Sequence, residues 1–218
     1  VALYDAEIRY CDEGIGQLLR KVEALGLKDN TVVVLLADHG EMMYRHGIFF
    51  DHHGLYEGNL RVPFMMRHPE YVPRRINAMT AHVDVAPTLA DICGVEIPRE
   101  MEGTSLVPWL RGERQEPVRE FLVCQECTWQ MKWALRTADH KFILARQPDV
   151  YGTPLRELYD LHTDPGEFHN VAEQQPERAE EMEEQLEAWI AEKMRQQGLP
   201  EDPLVTHGLS LGKEKPAQ

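Results

Sequence analysis

The chain has 218 residues, 43% of them hydrophobic, which is enough for one sizeable core and a smaller annex and excludes a short peptide or a disordered tail. Its formal net charge of -14 repels nucleic acid and anionic membrane surfaces at long range, and no run of roughly 18 apolar residues offers a membrane-spanning helix. Four cysteines, Cys11, Cys93, Cys124 and Cys127, are too few and too unevenly placed for a disulfide framework; they leave the compartment open, and any export signal is expected upstream of Val1.

Between Ala2 and Leu25, Ile8, Cys11, Ile15, Leu18, Leu19, Val22 and Leu25 recur at three- and four-residue spacing, which predicts an amphipathic helix packed on something, ended by Gly26. Asp29-Asn30-Thr31 turns the chain into Val32 to Leu36, a continuous apolar run that reads as a buried parallel strand of an α/β sheet. Ala37 to Glu41 then follow the carboxyl end of that strand, where open α/β sheets place their ligands, and Gly40 is expected to turn the chain sharply away. Val62 to Met66 predicts a second buried strand, and Thr88 to Cys93 a short helix with Pro87 at its start and Gly94 at its end.

The polar, breaker-rich stretch from Arg111 to Pro117 marks a boundary. Beyond it, Phe121 to Cys127, Gln130 to Arg136, His140 to Ala145 and Glu157 to Leu161 are short strands of a small antiparallel sheet. Pro176 to Gln197 is the clearest helix, with Pro at its first turn, acidic residues near its N-terminus and Gly198 past its end. Its face of Met182, Leu186, Trp189, Ile190 and Met194 is expected to dock onto that sheet, and the chain from Leu199 onward carries little pattern and reads as a fraying tail.

The chemistry concentrates between Ala37 and Pro63, where His39, His46, His52 and His53 stand close to Asp38 and Asp51. A carboxylate and an imidazole leaving one rigid strand together make a sensible half-site for a divalent cation; a hard cation such as calcium takes six or more ligands, so the rest must come from elsewhere. Asp-His-Gly taken alone is equally a plain Asx-type turn. Other features read as structural: Cys124 and Cys127 as strand residues, since they supply only two of four tetrahedral zinc ligands; Tyr56-Glu57 and Arg61 as a hydrogen-bonded pair fixing the loop; Trp129, Trp133 and Trp189 as core.

The ordered elements Asp38-His39-Gly40-Glu41, His46-Gly47, His52, Tyr56-Glu57 and Arg61-Val62-Pro63, followed by His82 to Leu89, Gly103 to Leu106 and Glu157 to Leu161, resemble the C-terminal half of the sulfatase family in the alkaline phosphatase superfamily. The resemblance implies an α/β, alkaline-phosphatase-like fold: residues 1–115 as the later part of the catalytic domain, 116–198 as a C-terminal subdomain of a small antiparallel sheet plus helix, and 199–218 as a tail. It implies hydrolysis of a small-molecule or carbohydrate sulfate monoester, with calcium or another divalent metal held by Asp38 and His39 together with two aspartates of the family's N-terminal segment. His52 stands where the family usually has a sulfate-contacting lysine, with His53 beside it; a histidine binds sulfate strongly only when protonated, so the departure implies either an acid-leaning profile or a neutral imidazole donating one hydrogen bond.

The family's nucleophile is a formylglycine made within a Cys/Ser-x-Pro-x-Arg signature, whose hydrated aldehyde attacks sulfur. None of the four cysteines, nor Ser105 or Ser210, is followed by that pattern, so the expectation is that no catalytic nucleophile lies in this chain, that Val1 is a truncation point and that the chain alone hydrolyses no aryl sulfate. Two alternatives stay open: a phosphoester or phosphonate hydrolase of the same superfamily with His46 as an extra metal ligand, and a truncated, non-catalytic binding module.

Overall fold

A computed structural model describes residues 1–210, and the last eight residues of the expected tail lie outside that range. Helix α1 runs Ala2–Ala24 and strand β1 Val33–Leu36. The short helix α2, Glu57–Leu60, leads into β2, Phe64–Arg67. A single 3-10 turn at His82–Asp84 opens α3, Val85–Ile92, and α4 spans Val107–Arg111. Strands β3 (Phe121–Glu126), β4 (Lys132–Thr137), β5 (His140–Ala145) and β6 (Arg156–Asp160) precede α5, Pro176–Gln197, and α6, Pro203–His207. None of the helices among the described residues is long and apolar enough to cross a membrane.

Two expectations about the first third are corrected. Strand β1 pairs antiparallel with β2, in the register Val33 with Arg67 through Leu36 with Phe64, and its side chains are half-buried or exposed. An unbroken apolar run reports affinity for a covered surface, not the direction of the neighbouring strand. Helix α1 forms where its periodicity predicts but buries none of its residues, so Ile8, Leu18 and Leu19 lie exposed. Periodicity shows that a helix has an apolar stripe and leaves open what covers it.

Strands β3 to β6 form an antiparallel meander in sequence order, with the strands where alternation predicts them. Because successive side chains in a strand point to opposite faces, the sheet carries two different cores. On one face Trp133, Leu135, Phe142, Leu144 and Leu158 pack against Ala179, Met182, Leu186 and Ile190 of α5. On the other, Ala134, Ile143 and Tyr159 pack against Met42, Ile48, Leu55 and Tyr56, so the histidine-bearing segment rests directly on this sheet. Cys124 lies in β3 as expected and packs toward the second core, whereas Cys127 falls just past the end of that strand and packs toward the first; both are free thiols.

The expected fraying from Leu199 is revised as far as Ser210. Asp202 caps α6 by accepting from the Leu204 amide at 2.9 Å, and it also accepts from Trp133 Nε1 and pairs with Arg146. Leu204, only 1% exposed, inserts into the α5-side core, a burial that contributes roughly 1.5–3 kcal/mol. A five-residue helix with one anchoring leucine is too short to leave a periodic signature.

Charged residues occupy the second face of the sheet. Lys132 Nζ lies 3.0 Å from Asp149 and 2.9 Å from Glu157, and the hydroxyls of Tyr56 and Tyr159 both donate to Glu157. Burial alone would raise the Asp149 carboxyl, but the Thr153 hydroxyl, the Lys132 ammonium and the Gln130 amide outweigh it and hold the group at about 2, against an ordinary 3.8. A carboxyl whose folded pKa is depressed contributes stability above its unfolded value that is lost as pH falls through the folded one. Acid titration is therefore expected to remove about 2 kcal/mol through Asp149 between about pH 4 and pH 2, and Asp149→Asn is expected to flatten the urea midpoint over that window. A variant with the wild-type acid slope would show that Asp149 is not its source.

Candidate metal and sulfate site

Asp38 and His39 follow β1 after a single residue, Ala37, whose carbonyl accepts a hydrogen bond from His82 Nε2 at 2.8 Å. That contact, from the 3-10 turn before α3, fixes the backbone just ahead of the pair. Gly40 is needed for a different reason from the sharp turn expected. A Cβ there would stand 1.9 Å from the Gly58 carbonyl oxygen, and the Gly40 amide donates to the Asn59 carbonyl at 2.8 Å. The requirement is close approach of two backbones, and it locks the Asp38-His39 corner against α2.

The Asp38 carboxylate is 88% exposed, and the His39 amide, then its own amide, hold it below the usual carboxylate range. His39 Nδ1 donates to the Gly40 carbonyl at 2.8 Å, which leaves Nε2 as the lone-pair nitrogen, 3.6 Å from Asp38 Oδ2. An anionic oxygen and an imidazole lone pair converge there, with the second ring nitrogen already fixed by a carbonyl, as metal-ligating histidines generally are. This donor set fits a divalent cation, of whose usual six or more oxygen-rich ligands it supplies two.

The tandem histidines close the other side. The His39 and His52 rings stack with centroids 4.4 Å apart, and the His52 and His53 rings lie 4.8 Å apart. Asp51 accepts from the His52 amide at 2.8 Å, and its Oδ1 lies 3.6 Å from His52 Nδ1 and 3.3 Å from His53 Nε2. His53 is buried, with Glu126 Oε1 3.5 Å from its Nδ1, and its carbonyl accepts from the buried Asn59 of α2. Among the described residues, Asp51, His52 and His53 form the group of three whose ligand atoms gather within 4.8 Å of one another. The structure thus brings all four expected site residues, Asp38, His39, His52 and His53, into one chain of close contacts, together with Asp51, which the sequence sets next to His52, and it adds Glu126, whose nearness no sequence spacing announced.

His46 is occupied differently. Its ring stacks on Tyr56 with centroids 3.6 Å apart, its backbone is left-handed at φ 56°, and burial lowers its pKa. Glu57 meets Arg61 through the backbone, the Arg61 amide donating to its carbonyl at 3.0 Å, while its carboxylate turns instead to Lys141 at 2.9 Å and Arg136 at 3.3 Å. Trp129, expected in the core, is 39% exposed in the turn between β3 and β4, edge-on to His53 at 5.8 Å.

A family model described as N-sulphoglucosamine sulphohydrolase, C-terminal, matches residues 45–196. The chain belongs to this sulfatase family. Choline-sulfatase of Rhizobium meliloti is 35% identical over 176 residues, covering 78% of this chain and 32% of that protein. The chain thus spans about a third of the length of the curated sulfatases it matches. A solved structure in complex with its substrate D-glucosamine-2-N,6-O-disulfate superposes with a TM-score of 0.68 at 30% identity, over 85% of this chain and 38% of that one. A phosphonate monoester hydrolase from Silicibacter pomeroyi superposes with a TM-score of 0.67 at 27% identity, over 84% and 38%. The fold is accordingly α/β and alkaline-phosphatase-like, with the small antiparallel sheet and helix of the sulfatase C-terminal portion.

Proposed function

We propose that this chain supplies part of the active site of a sulfatase that hydrolyses a sulfate monoester of a small molecule or carbohydrate. Asp38 and His39 hold a divalent cation such as calcium, and His52 and His53 contact the sulfuryl group. The observation that carries this reading is the stack of His39 on His52 at 4.4 Å, which sets the cation half-site directly against the tandem imidazoles. When bound, the cation supplies Lewis-acid stabilisation of negative charge on the sulfuryl oxygens.

The chain's own residues do the positioning. Asp38 stays anionic through its amide contacts, the Gly40 carbonyl orients His39, and Asp51 and Glu126 steer the histidines of the loop. A formylglycine nucleophile and two further aspartates are proposed to come from polypeptide beyond these residues, since no cysteine or serine here carries the Pro-x-Arg context. The likeness to a phosphonate monoester hydrolase at a similar TM-score keeps a phosphonate or phosphoester hydrolase as the second reading.

Calorimetric titration of calcium into the purified chain tests the half-site. Weak binding is expected, with Kd on the order of millimolar, and Asp38→Asn is expected to abolish the heat while leaving the melting temperature unchanged, because Asp38 is exposed. The same preparation is expected to release nothing from 4-nitrophenyl sulfate. Calcium binding that survives Asp38→Asn would place the ion elsewhere, and robust metal-dependent turnover would put the whole catalytic apparatus in this chain.

A further inference from the structure

Trp129 is a large ring that lies outside both cores and meets the edge of His53 while 39% of the residue stays exposed. Trp109 and Trp133 are buried, Trp189 packs against the α5-side core, and Trp129 belongs to neither core. Its backbone is nevertheless held from both sides. The Glu126 carboxylate accepts from the Thr128 and Trp129 amides at 2.8 and 3.1 Å, and the buried Gln130 donates from Nε2 to Asp149 at 2.6 Å. An exposed indole on a pinned turn is preorganised, so a ligand that covers it gains apolar contact without having to order the turn.

The position of the ring says what it would cover. It stands edge-on to His53, whose two nitrogens face Asp51 and Glu126. Among the described contacts, Asp51 and Glu126 engage these neighbours through one oxygen each, Oδ1 and Oε1. Two carboxylates with an oxygen to spare therefore meet the same imidazole that the indole meets edge-on, immediately beside the histidines proposed to contact the sulfuryl group.

We propose that Trp129 is the stacking platform for the organic part of the ester and that this part is a sugar ring: its C–H face lies on the indole and its hydroxyls donate to Asp51 and Glu126. An aryl group would cover the indole but leave both carboxylates without donors, and a short acyclic group would cover little of the ring. The proposal rests on the sulfate-contact reading of His52 and His53 and extends it to the substrate class.

The test uses the whole chain labelled with fluorotryptophan, whose four tryptophans are assigned through Trp129→Phe, titrated separately with glucose 6-sulfate and with sodium sulfate. The sugar sulfate is expected to bind about tenfold more tightly than sulfate and to shift the Trp129 fluorine signal, which sulfate leaves in place. Trp129→Ala is expected to remove that tenfold advantage and to leave inorganic sulfate binding within about twofold of wild type. If sulfate shifts the His52 and His53 imidazole signals but Trp129→Ala binds the sugar sulfate as wild type does, the platform is overturned while the histidine reading stands. If sulfate shifts neither imidazole, the histidine reading falls and takes the platform with it.

Discussion

Lys141→Met is expected to lower the unfolding free energy by about 3–5 kcal/mol, read as a lower urea midpoint with an unchanged slope. Lys141 is fully buried, and its ammonium lies 2.9 Å from Glu57 and 2.7 Å from Glu167, while the Glu57 amide donates to Glu167 at 2.6 Å. Burial by itself would raise both carboxyls. It does raise Glu167, whereas at Glu57 the charges of Lys141 and Arg136 outweigh it and hold the group below its ordinary range. Without the ammonium, two carboxylates share one buried site, and one of them has to take a proton to stay there.

A folded-state pKa raised in this way contributes stability at low pH that disappears as pH rises, so the variant's deficit is expected to be larger at pH 7 than at pH 5. A deficit under about 1 kcal/mol, or one that ignores pH, would mean that this cluster does not clamp α2 to the sheet. The consequence reaches the site. Glu57 and Asn59 belong to α2, and α2 holds the His53 carbonyl and the Gly40 amide.

That cluster also shows where sequence reading stops. Alternation placed β3 to β6 correctly, and the Pro176–Gln197 helix with its Met182, Leu186 and Ile190 face was legible from caps and period. The same alternation puts Lys132, Lys141 and Glu157 on one side of the sheet, a pattern indistinguishable from a solvated face. Their partners, Asp149, Glu57 and Glu167, come from loops and from a segment some eighty residues earlier, and no local rule pairs residues across that distance. The strand-end Asp38-His39 pair was legible because a rigid element presents two neighbours together. The meeting of His39 with His52 depends on Gly40 seating against Gly58, a contact visible only once both backbones are placed. Trp129 escaped because an aromatic residue near a strand end is more often core, and here the turn carries it past the end of the sheet.

Asp84→Ala is expected to cost about 3–5 kcal/mol and to lower the melting temperature by roughly 10 °C. Asp84 is fully buried and accepts four hydrogen bonds: from Arg119 at 2.7 and 2.5 Å, from the Ala81 amide at 2.8 Å and from the Thr104 amide at 2.9 Å. Burial would raise this carboxyl, but Arg119 and the two amides outweigh it and hold the group below its ordinary range. Alanine removes the acceptor and strands a largely buried guanidinium together with two amides, which is why the loss exceeds that of an average hydrogen bond.

The effect should reach the cation half-site by a traceable path. Ala81 and Asp84 bracket the turn carrying His82, and His82 holds the Ala37 carbonyl next to Asp38. Below its melting temperature, the folded Asp84→Ala protein is therefore expected to bind calcium more weakly than wild type, and Asp84→Asn, which keeps one of the two acceptor oxygens but loses the charge, should fall between them. If folded Asp84→Ala binds calcium with wild-type affinity, the clasp is purely structural and the placement of Asp38 does not depend on it.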